Sequence, residues 1–241
     1  MLDITFQKLI DEATRELLNK KDEFISIASH ELKTPVTSLK AALQIMERAS
    51  LKGDSINTVD IFIQKAIKQV DKLTELIKDL LDVTKIQSGK LILRKTDFVL
   101  DELLKECVEE IQNDSTKHKI TIEGYRNIGV YADRNRLEQV IINLISNAIK
   151  YSPDANKVVV SIEKADEGVK VSVKDFGIGI PKDNLPLIFD RFYRVDEDSQ
   201  RYAGLGLGLY ISAEIIRQHG GQIDIESTVG KGSTFWFIIP E

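Results

Sequence analysis

Between Val59 and Thr84 the apolar positions Val59, Ile63, Ala66, Val70, Leu73, Ile77 and Leu80 recur at alternating steps of four and three. That spacing lines one side of an α-helix packed in a bundle. Upstream, from about Leu2 to Ala49, a second helical pattern places Phe24, Ala28, Leu32, Leu39, Leu43 and Met46 on one face. Ser50 to Ser55, with Gly53 inside, supplies a turn. The pattern predicts an antiparallel helical hairpin over residues 1–88. Two helices leave one apolar side uncovered, and pairing two hairpins into a four-helix bundle covers it, so a homodimer is expected. The plainer alternative packs the hairpin on the chain's own C-terminal half, which requires a large apolar surface there.

After Gly89 the texture changes to short alternating segments. Strands are expected at Leu91–Arg94, Ile120–Ile122 and Gly129–Tyr131, and helices at Leu100 to about Lys117 and Arg136–Lys150. Val158–Ile162 and Val169–Val173 flank Asp166-Glu167-Gly168 and read as a β-hairpin; a third helix, Ile211–Gln218, precedes two closing strands. The fold class is thus a helical hairpin followed, over 89–241, by an α+β sandwich of a mixed sheet and three helices. Glycine supports the division: of 14 in the chain, only Gly53 and Gly89 precede residue 124.

The 241 residues suffice for one or two domains, and 42% hydrophobic with 29% charged residues describes a globular chain. The longest charge-free stretches, Gln139–Ile149 and Tyr202–Ala213, fall well short of the ~20 apolar residues that cross a bilayer. Met1-Leu2-Asp3 opens no secretory signal pattern. A formal charge of -5 opposes binding to nucleic acid. The single cysteine, Cys107, forbids an internal disulfide and reads as packing.

Five clusters carry candidate chemistry. On the first helix His30 and Thr34 point nearly opposite to the apolar face, hence toward solvent. Pro35 has no N–H for the Glu31 carbonyl, so the helix should weaken or bend one turn from His30. Glu31 is suited to take a proton from the imidazole Nδ1, making Nε2 the better nucleophile; an idle surface histidine is the alternative. Asn143 and Asn147 share one helix face, with Lys150 a turn on. Amide oxygen suits Mg²⁺ and the ammonium suits phosphate; amides that simply hydrogen-bond to backbone are the alternative.

Asp175-Phe176-Gly177-Ile178-Gly179-Ile180 follows a strand, where a carboxylate can accept from an exocyclic amine such as that of adenine; an ordinary glycine turn is the alternative. Pro181 to Gly204 lacks periodicity and reads as a lid anchored by Phe189, Phe192 and Tyr193, with Arg191 or Arg194 in reach of phosphate. Gly204-Leu205-Gly206-Leu207-Gly208-Leu209 opens a helix and offers backbone N–H groups to an anion. Its spacing is neither a Rossmann fingerprint nor a P-loop. His118, at the polar end of a helix, and His219, before Gly220-Gly221, read as structural.

In this order Ser29-His30-Glu31-Leu32-Lys33-Thr34-Pro35, the Asn143 to Tyr151 helix, the Asp175 turn, Phe189-Asp190-Arg191-Phe192-Tyr193-Arg194 and the Gly204 to Leu209 run resemble the H, N, G1, F and G2 boxes of sensor histidine kinases. The resemblance spans about residue 20 to the end. It implies a dimerisation and histidine-phosphotransfer hairpin, then an ATP-binding domain of the Bergerat type shared with gyrases, mismatch-repair ATPases and heat-shock chaperones. It further implies ATP and Mg²⁺ as cofactors, His30 as phosphoacceptor, Glu31 as its base and Asn147 as the Mg²⁺ ligand. Asn143 and Lys150 would contact phosphate, Tyr151 would line the pocket, and Asp175 would bind the adenine amine beside Gly177, Gly179 and Ile180. Arg191, Arg194, Gly204, Leu205, Gly206, Leu207 and Gly208 would complete the nucleotide-binding set. The implied partner is the receiver domain of a response regulator, phosphorylated on aspartate and also dephosphorylated with help from Thr34. The resemblance implies a cytoplasmic portion of a longer sensor, with Met1 to Lys21 ending a signalling helix.

Two rival functions are a water-hydrolysing ATPase of the same superfamily and a dimeric scaffold that binds ATP only to change shape. Asn143 stands where the hydrolases would carry a glutamate, and an amide takes no proton from water. A scaffold needs neither the exposed His30 nor the adjacent Glu31.

Overall fold

The computed structural model describes residues 25–49, 56–114, 117–124, 127–195 and 204–240. The Ser50–Ser55 turn, the Met1–Lys21 segment and the middle of the expected lid lie outside these residues. Two compact units divide the chain: the main division falls within the second helix, between Leu81 and Asp82, and Ala203–Leu205 is grouped with the first unit.

The first unit is helical: α1 covers 25–49 and most of α2, Ile56–Gln87, follows. Ala28, Pro35, Ala42 and Ala49, each seven residues after the last, are buried, as are Ala66 and Leu76 on α2. Leu43, expected on the apolar face, is instead 52% exposed, and Ile25, Val36, Ile61, Ile67, Val70 and Ile77 are also exposed. The reason is width: each helix carries more apolar surface than one packing seam covers. Helix α1 continues through Pro35 and does not end there. In that turn Thr34 Oγ1 donates to the His30 carbonyl at 3.1 Å and Thr37 Oγ1 to the Lys33 carbonyl at 2.9 Å.

The second unit holds a five-stranded sheet. Its strands are β2 (Lys119–Gly124), β4 (Lys157–Ala165), β5 (Gly168–Lys174), β6 (Gln222–Thr228) and β7 (Gly232–Ile239), in the order β2-β4-β5-β7-β6. β2 and β4 are parallel and the remaining pairs antiparallel, so the sheet is mixed as expected. Val158, Val160 and Ile162 on β4, Val169, Val171 and Val173 on β5, and Phe235, Phe237 and Ile239 on β7 are buried at alternate positions. A period of two places them on one side of the sheet. Helices α3 (Leu100–Asp114), α4 (Arg134–Lys150) and α5 (Gly208–Gln218) pack with it and bury Leu103, Leu104, Leu137, Ile141, Leu144, Ile211 and Ile215.

A separate ribbon pairs β1 (Thr96–Val99) with β3 (Gly129–Ala132). The strand expected at Leu91–Arg94 is absent: Ile92 is 80% exposed, and the Arg94 N–H goes to the Asp133 carboxylate at 2.7 Å instead of a ladder partner. Asp133 also caps α4 by accepting from the Arg136 N–H at 3.2 Å.

The last turn of α2 belongs to this second unit. Asp82, 2% exposed, accepts from both terminal nitrogens of Arg136, at 2.7 and 3.0 Å, and from Gln139 at 3.0 Å. Burial alone would raise its carboxyl, but the hydrogen bonds from Arg136 and Gln139, with the charges of Arg136 and Lys85, outweigh it and hold the group below the usual range. Cys107 is buried as expected, and burial with Glu138 and Glu110 nearby pushes its thiol up to about 12, an inert state.

Candidate functional site

On α1 the His30 side chain is 81% exposed, the solvent-facing position the helical geometry demands. Glu31 lies beside it, half withdrawn at 14% exposure, with its carboxylate 4.0 Å from Nδ1. That is electrostatic reach, outside hydrogen-bond distance. His30, Lys33, Thr34, Thr37 and Ser38 line one shallow depression on this face. An exposed imidazole, an adjacent carboxylate, a cation and three hydroxyls are thus presented together.

Most of the other candidate residues lie in the second unit, several of them at the C-terminal half of α4; Gly204 and Leu205 are grouped with the first. Asn143 donates to Ser212 Oγ on α5 at 3.0 Å, and Asn147 Nδ2 lies 3.4 Å from the Asn143 amide oxygen. These contacts orient both amides. A Cβ at Gly208 would lie 2.4 Å from the Asn143 amide oxygen, so a side chain there would displace that amide. The N-terminal N–H groups of α5 have no side-chain cap, which suits an anion at that end. Gly206, at φ 66, shapes the approach to it, and Leu207 is buried.

Lys150 lies over the Tyr151 ring at 5.0 Å. Tyr151 O accepts from the Ile178 N–H at 3.1 Å, and a Cβ on Gly177 would lie 2.0 Å from that same oxygen. The glycine turn after β5 is therefore clamped directly to the end of α4. Its other side is held by the turn between β6 and β7: Gly230 N–H donates to Ile178 O at 2.8 Å and Ile180 N–H to Ser227 Oγ at 2.8 Å. Gly179, at φ 68, takes the left-handed conformation this path needs.

Asp175, 3% exposed, sits where the two clamps meet. Its Oδ1 accepts from the Gly177 N–H at 2.9 Å and the Ser233 N–H at 3.1 Å. Burial raises the carboxyl above its ordinary value, opposed by the hydrogen bonds from Gly177, Ser233 and the Ser152 side chain. Two backbone N–H groups on one oxygen hold this buried carboxylate in a fixed orientation beside the glycine turn.

Within the expected lid, Lys182–Leu187 forms a short 3-10 helix, an element the periodicity did not reveal. Phe192, at φ 64, donates its N–H to Gly206 O at 3.1 Å, and the Asn184 amide donates to the Tyr193 hydroxyl. Arg191 stacks at 5.8 Å from the Tyr210 ring at the start of α5; Arg194 is half-buried in the same segment.

The residues suit Mg²⁺. Among the described residues no cluster of three His, Cys, Asp or Glu could cage a metal, and the available protein ligand is the hard amide oxygen of Asn147. Mg²⁺ commonly takes one or two protein oxygens and completes its shell with phosphate and water. No helix of the described residues is long and apolar enough to cross a membrane.

Four residues escaped the sequence reading. From outside the boxes Ser212 accepts from Asn143, and the buried Ser152 donates its hydroxyl to the Ala148 carbonyl near the end of α4. Asp82 and Arg136 are distant in sequence and carried no local signal. His118 is buried and bonded to the Ser152 carbonyl, not set at the polar end of a helix as expected, because it lies just before β2 and meets the backbone that follows α4. His219 does cap α5; it also bridges, since Nδ1 contacts Ile215 O at 2.8 Å while Nε2 accepts the Asp133 N–H at 3.0 Å.

Comparison with known proteins covers both units. Residues 20–89 match the His Kinase A (phospho-acceptor) domain, and residues 132–241 match the Histidine kinase-, DNA gyrase B-, and HSP90-like ATPase family. The sensor histidine kinase WalK of Bacillus subtilis is 32% identical over 99% of this chain, which spans 38% of that protein. A solved catalytic domain of histidine kinase ThkA is 35% identical, with a TM-score of 0.52, and the match covers 61% of this chain and 95% of that domain. ThkA in complex with the response regulator protein TrrA is 28% identical, with a TM-score of 0.64, over 94% of this chain and 63% of that one.

Proposed function

The chain belongs to the sensor histidine kinases, and from that premise we propose that it transfers the γ-phosphoryl group of ATP to its own His30 and then to an aspartate of a response regulator. The observation that carries this reading is the partition of the chemistry. An exposed imidazole with a carboxylate beside it lies on one unit, and a cradle for an adenine nucleotide lies on the other. A hydrolase or a passive scaffold needs only the cradle.

In the first step His30 Nε2 attacks the γ-phosphorus. The N–P bond forms as the bond from phosphorus to the bridging oxygen breaks and ADP leaves, and Glu31 receives the Nδ1 proton. Asp175 accepts from the adenine amine, while Asn143, Lys150 and the α5 N-terminus hold phosphate. Mg²⁺, held by Asn147 and phosphate, would supply charge neutralisation on the transferring group. Transfer onward breaks the N–P bond and forms an acyl phosphate on the partner's aspartate.

Residues 1–88 serve as dimerisation and phosphotransfer domain and 89–241 as catalytic domain. The uncovered apolar face of the hairpin supports a homodimer, and the response regulator bound to ThkA supports a receiver-domain partner. Thr34, whose hydroxyl lies one turn from His30, assists dephosphorylation of that partner. A cytoplasmic location follows from this partner. The test is incubation with γ-labelled ATP: label that is acid-labile and base-stable is expected, as for a phosphoramidate. Release of inorganic phosphate with no protein-bound label would overturn the reading in favour of a hydrolase.

A further inference from the structure

Gly208 and Ser212 stand one turn apart on α5, and both meet the Asn143 side chain of α4. Asn143 Nδ2 donates to Ser212 Oγ at 3.0 Å, and a Cβ on Gly208 would lie 2.4 Å from Asn143 Oδ1. Ser212 is 2% exposed, so this bond is made away from bulk solvent. Asn143 Oδ1 in turn accepts from Asn147 Nδ2 at 3.4 Å, a longer contact. The hydrogen bonds therefore run one way, from Asn147 through Asn143 to Ser212. That direction has a chemical consequence. An amide has a donor arm and an acceptor arm, and only the oxygen is a ligand for a hard cation. With its nitrogen committed to Asn143, Asn147 keeps its oxygen for a cation. If both amides were turned over, Asn147 would spend its oxygen on Asn143 and offer its NH₂ to the cation. If Asn143 alone were turned, two NH₂ groups would face each other.

We propose that Ser212 is a positioning residue for the metal: by accepting from Asn143 it fixes the direction of the amide chain, so that Asn147 presents oxygen and not nitrogen to Mg²⁺. The inference rests on the reading of Asn147 as the Mg²⁺ ligand given above. A buried hydroxyl suits the task. Being neutral, it brings no charge that would compete for the cation or repel it. A hydroxyl can donate as well as accept, but the atom it faces here is Asn143 Nδ2, which carries only protons to give. The bond also joins α5 to α4, so the helix whose N-terminus is read as the phosphate end sets the orientation of the ligand on its neighbour. Groups that hold metal ligands from behind commonly change metal affinity ten- to about a hundredfold when removed. Ser212 acts one residue further back and through a 3.4 Å contact, which sets the expectation at the lower end.

The experiment measures dissociation constants of the whole chain for adenylyl imidodiphosphate, an ATP analogue whose terminal phosphoryl group is not transferred, once with excess Mg²⁺ and once with chelator. The ratio of the two constants reads what the protein adds through the metal, and a general loosening of the site cancels from it. For Ser212→Ala the ratio is expected to fall about tenfold. Ser212→Cys fills the same space with a poor acceptor, and the ratio is expected to fall there too. In the Asn147→Ala background Ser212→Ala leaves the ratio unchanged, because the ligand it acts through is gone. A native ratio in Ser212→Ala overturns the proposal. So does a native ratio in Ser212→Cys, which would assign the effect to packing, and so does an equal loss in both backgrounds. If Asn147→Ala itself keeps the native ratio, the metal role of Asn147 fails and the inference falls with it. If Asn147→Ala collapses the ratio while Ser212→Ala does not, the inference alone fails.

Discussion

The hairpin and the α/β unit use their apolar residues in opposite ways. In the α/β unit Leu103, Leu104, Leu137, Ile141, Leu144 and Phe237 are fully buried. The hairpin buries chiefly small residues, Ala28, Ala42, Ala49 and Ala66, and leaves Val70 and Ile77 45% and 47% exposed. One unit has closed its core within a single chain; the other leaves an apolar face that the proposed second copy would cover. The proposed chemistry divides along the same line, with the exposed His30 imidazole on the incomplete unit and the Asp175 carboxylate withdrawn in the complete one. On that reading His30 must be reached by two different partners in turn, whereas a nucleotide cradle would gain discrimination by excluding water.

The widest breach of this comparison comes from His30→Gln. Labelling from ATP is expected to vanish, with ATP affinity, read by calorimetry, held within about twofold because the sites lie in separate units. Retained label would show that the nucleophile lies elsewhere.

Next, Val70→Asp together with Ile77→Asp is expected to abolish self-association, raising the dissociation constant at least about a hundredfold through charge buried in the bundle seam. Sedimentation velocity reads this, and an unchanged dimer would show that the exposed face is not its interface. Monomer from the native chain at micromolar concentration would be as damaging.

Within the complete unit, Asp82→Ala is expected to cost about 3 kcal/mol in denaturant unfolding, since it leaves the Arg136 guanidinium without its buried partner. Its pH dependence has a definite sign. The folded Asp82 carboxyl is held below its ordinary value, so its contribution is complete above the unfolded value of about 3.9 and is lost as pH falls through the folded value. The variant should therefore lose less stability than the native chain on acidification below about pH 4, and parallel curves would count against the pair.

The smallest thermodynamic effect is expected from Thr34→Val. The Thr34 hydroxyl donates to the His30 carbonyl at 3.1 Å, a bond whose removal shifts helix stability by under about 0.5 kcal/mol. Dephosphorylation of the response regulator is expected to fall at least about tenfold with autophosphorylation intact. Unchanged dephosphorylation would reduce the hydroxyl to its backbone role beside Pro35.

Much of this molecule is written locally. The helical face carrying His30, the i, i+4 pair Asn143 and Asn147, the β-hairpin around Asp166-Glu167-Gly168 and the glycine turn after Asp175 each lie within a few turns or a single strand, so period and spacing reveal them. Other features depend on what a segment meets. Leu91–Arg94 has the apolar content of a strand, but Thr96–Val99 won the pairing with Gly129–Ala132. His118 looks polar in its own neighbourhood and is buried because the fold brings it to the Ser152 carbonyl, 34 residues away. Asp82 and Arg136 stand 54 residues apart and find each other at 2.7 Å. The sequence alone determined most of the elements and the chemical types at the site, because side-chain periodicity and backbone propensity act over a few residues. Only the tertiary structure decided which segment pairs with Gly129–Ala132 and which buried polar groups meet, as Asp82 does Arg136 and His118 the Ser152 carbonyl. Burial turns such groups from solvated ones into partners that must satisfy one another, and burial belongs to the folded whole.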